Sequence, residues 1–108
     1  MFSKIQIQKA LKMRTELTAE TDTTQYFITR GVGKEHYVSR DKTKKFWDGW
    51  TCDCNFCNGW GYFELNKQKW CYVKLAVAIW LWKNKKIPEE IWNIITTEMG
   101  ENVKLLGE

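Results

Sequence analysis

Four cysteines, at positions 52, 54, 57 and 71, constrain this chain more than any other feature, because three of them fall within six residues. Small buried thiols are usually scattered through a core, so three crowded into a loop-like stretch need a chemical reason. Zinc supplies one, since it takes four sulfur or nitrogen ligands in a tetrahedron. The run Cys52-Asp53-Cys54-Asn55-Phe56-Cys57 ends a β-like segment, and Cys71 opens a helical one. A strand end and a helix start can supply the four corners, and helix N-terminal amides favour the thiolate form of Cys71. Two other fates stay open: disulfides, which belong to oxidising compartments, and buried free thiols.

A staple of this kind suits the length. With 108 residues there is room for one core, and short chains bury a smaller fraction of their surface than long ones. The composition is globular, with 44% hydrophobic residues, 28% charged and one proline. Seven tryptophans stand out, and they belong either to an aromatic core or to a binding surface. Met1 to Arg14 lacks the continuous apolar core of an export signal, which points to a cytoplasmic protein with reduced thiols. The longest apolar run, Cys71 to Trp82, is too short to span a bilayer.

The hydrophobic spacing predicts an α+β fold. Ser3 to Glu20 reads as an N-terminal helix capped by Ser3, with Ile7, Ala10, Leu11, Arg14 and Leu17 near helical spacing. Gln25 to Arg30 and Glu35 to Arg40 read as two strands joined across Gly31-Val32-Gly33, and Lys44 to Cys52 as a third, broken at Gly49. Together they predict a small antiparallel sheet. Asn55 to Leu65 reads as a zinc-binding loop. A first C-terminal helix is expected from Gln68 to about Lys85, apolar nearly all round. A second follows Pro88, with Glu89 and Glu90 at its positive end and Ile91, Ile94, Ile95 and Met99 on its core face.

From Trp50 onward the chain resembles the SWIM zinc finger, whose pattern is C-x-C, a variable loop, then C-x-H leading into a helix. The matching residues are Trp50-Thr51-Cys52-Asp53-Cys54, then Trp70-Cys71-Tyr72-Val73, then Lys74-Leu75-Ala76-Val77. Tyr26-Phe27-Ile28 and His36-Tyr37-Val38-Ser39 resemble the strands leading into the finger, so the likeness covers residues 25 to 84 of one domain spanning 1 to 108. Val73 stands where the family has its histidine. The resemblance therefore implies three ligands, Cys52, Cys54 and Cys71. Cys57 is the choice for the fourth, with His36 as the fallback and a finger without metal as a third outcome.

No catalytic set is visible. The chain has one histidine and lacks the H-E-x-x-H, phosphate-loop and G-x-S-x-G patterns. Zinc with four protein ligands also keeps no open position. The expectation is a non-enzymatic binding module. Two lysine clusters, Lys42-Lys44-Lys45 and Lys83-Lys85-Lys86, suit phosphate, and Phe46, Trp47 and Trp60 could stack on bases. SWIM fingers are regarded as DNA- or protein-binding modules, which makes nucleic acid, with DNA first, the leading partner and a regulatory role conceivable. The alternative is assembly with a protein or a second copy of the chain through Leu75, Ile79 and Trp82, if one chain leaves that face uncovered. Charge limits the first option. Net charge is +4, and zinc on four thiolates would take it to about +2.

Overall fold

The structure, a computed structural model, describes residues 2–31, 33–53 and 70–107. Its elements in chain order are α1 (Lys4–Leu11), β1 (Arg14–Glu20), β2 (Thr24–Gly31), β3 (Lys34–Asp41), β4 (Trp50–Cys52), α2 (Tyr72–Lys83) and α3 (Glu89–Met99), followed by a 3-10 segment, Gly100–Gly107. The fold is α+β, with one N-terminal helix, a four-stranded antiparallel sheet in the order β1-β2-β3-β4, and two C-terminal helices.

Ser3 caps α1 as expected. Its hydroxyl accepts from the Gln6 amide at 3.1 Å, and the Gln6 side chain accepts from the Ser3 amide at 3.2 Å, a reciprocal capping box. The helix ends at Leu11, however, and the expected continuation to Glu20 is instead β1. Arg14 to Leu17 alternates: Thr15 and Leu17 are half-buried, while Arg14 and Glu16 are exposed. That two-residue period lets Thr15 and Leu17 face Thr29 and Phe27 across the ladder. The Thr15 and Thr29 hydroxyls meet at 3.1 Å. Cross-strand pairing thus overrides the weak helical spacing that Leu11 and Leu17 present in isolation.

The β2–β3 hairpin is in register from Thr24↔Asp41 to Gly31↔Lys34. The third expected strand is shorter than Lys44 to Cys52 and contains only Trp50–Cys52. Before it the chain turns back on itself. Gly49 adopts φ +76, its carbonyl accepts from the Asp41 amide at 3.0 Å, and a Cβ there would lie 2.9 Å from Asp41 Cβ. The turn carries Phe46 and Trp47 inward, where they pack with Trp50 and Trp70 at ring separations of 4.7 to 6.0 Å. The Trp50 indole N–H donates to the Phe46 carbonyl, which satisfies its polar edge inside the cluster.

One face of the sheet, carrying Phe27, Thr29, Val38 and Trp50, lies on α2. Residues Val73 to Ile79 of that helix, the charged Lys74 among them, are all buried, and so is Leu81; the other residues of this stretch are apolar. α1 covers a further side through Ile7 and Ala10, and Ile95 and Met99 of α3 join the same core. The opposite sheet face is open, with Tyr26 and Tyr37 exposed on the two central strands. Among the described residues, no helix is long and apolar enough to cross a membrane.

Candidate metal centre and basic surface

The fold brings together two of the four cysteines. Cys52 ends β4 opposite Val38 of β3, and Cys71 is the N-cap of α2. Its Sγ accepts from the Lys74 amide at 3.4 Å, the contact expected for a helix-capping sulfur. The two Sγ atoms are 3.8 Å apart. A disulfide would need about 2.05 Å. Zinc with sulfurs at about 2.3 Å in a tetrahedron puts each pair of sulfurs about 3.8 Å apart, so this pair fits one edge of such a site. Cys71 is fully buried and Cys52 half-buried.

Cys54 and Cys57 lie outside the described residues, as do the zinc loop and Trp60. His36, the fallback ligand, has its Nδ1 3.2 Å from Oδ1 of Asp53, the residue after Cys52, a contact that involves only one of its ring nitrogens. Among the described residues, no three His, Cys, Asp or Glu side chains gather as a ligand group, so His36 does not join Cys52 and Cys71 in one. Cys52 and Cys71 alone therefore give half a coordination shell.

One lysine from each expected cluster acts on Glu20. Lys42 leaves the end of β3 and bonds Glu20 Oε2 at 2.9 Å. Gln25 donates to the same oxygen at 2.9 Å. Glu20 is held below the usual carboxylate range, first by the Lys42 hydrogen bond, then by the one from Gln25; desolvation opposes them, and charge attraction from Lys42 and, least of all, Lys86 adds to the lowering. Lys86 follows α2, so one carboxylate feels both clusters. Lys44, Lys45, Lys83 and Lys85 are exposed. Close by, Arg40 lies over the Phe46 and Trp50 rings, 5.1 and 5.9 Å from their centroids. Burial pushes its guanidinium below its ordinary value, and Glu20 opposes that shift.

Lys85 occupies a costly position. The chain leaves α2 through Asn84, and Lys85 takes φ +57, the left-handed conformation that glycine ordinarily fills after a helix. Its amide donates to Trp82 O at 3.0 Å and the Lys86 amide to Leu81 O at 2.8 Å, closing the helix end.

Two expectations need correction. Phe46 and Trp47 are buried in the aromatic cluster, 9% and 7% exposed, and so present no free face on which a base could stack. Leu75 and Ile79 are buried as well, and Trp82 stacks on Trp92 with centroids 5.1 Å apart and planes within 5°. The chain itself thus covers the helix face on which self-assembly or partner binding was expected. One basic group escaped the sequence reading: Lys9, Lys12 and Lys34 meet at a second pocket. Lys9 and Lys12 have the i,i+3 spacing that hints at a shared side, but Lys34 arrives only through the hairpin.

Compared with protein-family models, curated proteins and solved structures, the chain matches none.

Proposed function

We propose that this chain is a small, zinc-stabilised, non-enzymatic module that binds nucleic acid, DNA in the first instance, in the manner suggested by its resemblance to SWIM fingers. Cytoplasmic location and a regulatory role belong to the same proposal. The observation that carries it is Glu20: Lys42 of one cluster bonds it at 2.9 Å and Lys86 of the other adds a weaker charge attraction, which supports an edge common to both clusters. Lys42, Lys44, Lys45, Lys83, Lys85 and Lys86 then form the phosphate-contacting set. The metal part of the proposal rests on the Cys52–Cys71 separation, with Cys54 and Cys57 completing the ligands. In this scheme zinc has no catalytic part. It ties the end of the sheet to the start of α2, whose other end carries one of the lysine clusters.

Salt dependence tests the proposal. Each phosphate contact contributes about −0.9 to the slope of log affinity against log salt on duplex DNA. Replacing Lys83 and Lys86 with glutamine should make the slope shallower by about 1.8 and weaken binding to unrelated sequences alike. Retention of the native slope in that variant, or no retention of DNA or RNA at low salt, would reject the assignment.

A further inference from the structure

A cavity of about 210 Å³ opens between α1, the β2–β3 turn and the start of α2, lined by Lys9, Lys12, Met13, Lys34, His36 and Tyr72 together with Gly31. Three lysines, from two separate stretches of chain, thus line one small space. No carboxylate is among the described residues that line it. The reason lies on the other side of the sheet. Glu16 of β1 and Glu35 of β3 both turn to Arg30, at 3.0 and 2.8 Å, on the exposed face. Asp53 is held at His36 Nδ1 and is not a lining residue. Lys9 rests 5.4 Å from the centroid of the Tyr72 ring, which limits where its ammonium can go. The basic surface described above carries its own carboxylate; the described residues lining this pocket include none.

We infer that this pocket binds a phosphate group. Like charges held around a cavity repel one another, and a compact anion at its centre relieves that repulsion while taking several charge-assisted hydrogen bonds. The volume is below the roughly 300 Å³ at which drug-sized ligand pockets begin, and so suits a small anion better than a whole cofactor. Lysine is a point-charge donor with rotatable hydrogens, fitted to a phosphate presented in more than one orientation. The phosphate could be a free ion or the end of a nucleic-acid chain. The chemistry of the pocket is the same for both, and the inference does not depend on the nucleic-acid proposal, which uses other lysines.

The experiment is an NMR titration of the full chain with inorganic phosphate at constant ionic strength, with chloride as the control anion. Saturable shifts centred on Lys9, Lys12, Lys34 and Tyr72 are expected with phosphate and not with chloride. Lys12→Gln combined with Lys34→Gln should weaken phosphate by about tenfold, while Lys4→Gln combined with Lys104→Gln leaves it unchanged. All four positions are exposed, so the variants should fold, and thermal unfolding checks this. A second arm compares a single-stranded oligonucleotide bearing a 5′-phosphate with its 5′-hydroxyl counterpart. A preference for the phosphorylated end that disappears in the Lys12, Lys34 variant identifies the chain end as the source. No preference, with inorganic phosphate still bound, identifies the free ion or a small phosphorylated molecule. Equal shifts with chloride, or phosphate binding indifferent to Lys12 and Lys34, overturn the inference.

Discussion

The two ends of α2 are secured by different physics. At its N-terminus, Cys71 caps the helix with sulfur, reaches Cys52 of β4, and follows Trp70, which is fully buried among Phe46, Trp47 and Trp50. At its C-terminus, hold comes from a ring stack, Trp82 on Trp92, and from a left-handed lysine that closes the last turn. The first end depends on a pair of soft ligands that zinc would join. The second depends on apolar contact and carries its cations outward. A reagent that removes metal should therefore act at one end of the helix, and salt at the other.

The largest expected effect is at the cysteine end. Where thiolates hold a structural zinc, the binding free energy is part of the folding free energy. Cys71→Ser should therefore lower unfolding stability by at least about 3 kcal/mol and abolish stoichiometric zinc, and chelation of the native protein should do the same. Cys57→Ser separates the ligand choices: equal loss of metal makes Cys57 a ligand. Metal analysis with thermal unfolding reads both. A purified protein free of metal and holding Cys52 and Cys71 in a disulfide would break the contrast at its stronger end.

How much of this could be seen in the chain beforehand depends on how far apart the interacting residues lie. The Ser3 cap is a three-residue signal, and it was legible. So was the β2–β3 hairpin, whose partners are neighbours in sequence. β1 was hidden because Ile7, Ala10, Leu11 and Leu17 suggest a helix until Thr15 and Leu17 are set opposite Thr29 and Phe27, a decision made by pairing rather than by the segment itself. The lysine clusters were visible as clusters, but the joint action of Lys42 and Lys86 on Glu20 needs the end of β1, the end of β3 and the exit of α2 in one place. Trp47 shows the same limit from the opposite direction. An aromatic beside lysines looks like a stacking platform until a turn at Gly49 carries it into the core.

A smaller effect sharpens the comparison at the other end of the helix. Because Lys85 sits at φ +57, Lys85→Gly should raise stability by about 1 kcal/mol by relieving the left-handed strain. The same substitution removes one cation from the proposed phosphate-contacting set. Stability and nucleic-acid affinity are then expected to move in opposite directions, with the salt slope shallower by about 0.9. A gain in stability with an unaltered slope would make Lys85 a helix-end residue only, and remove it from the binding surface.

The smallest effect concerns Glu20, a carboxylate on which Lys42 and Lys86 both act. Its folded-state pKa is depressed, chiefly by the hydrogen bond from Lys42. By linkage, its contribution to stability is present above the unfolded value near 4.5 and fades as pH falls through the lower folded value. It is solvent-exposed, so screening makes that contribution slight. Its consequence for binding is clearer. Between about pH 5 and 8 Glu20 stays ionised and competes with phosphate for Lys42, so acidification across that window releases nothing at this edge. Glu20→Gln achieves what that pH range cannot: it removes the competing charge while keeping a side chain that can still accept from Gln25. Lys42 then becomes available to phosphate, and Lys86 loses an opposing charge. Affinity for duplex DNA at low salt should rise about three- to tenfold, with the slope of log affinity against log salt steeper by at most about 0.9, the share of the Lys42 contact that Glu20 withholds. Fluorescence anisotropy across a salt series measures both. If Glu20→Gln leaves affinity and slope as they were, Lys42 and Lys86 do not act on a common ligand, and the shared edge is only an ion pair.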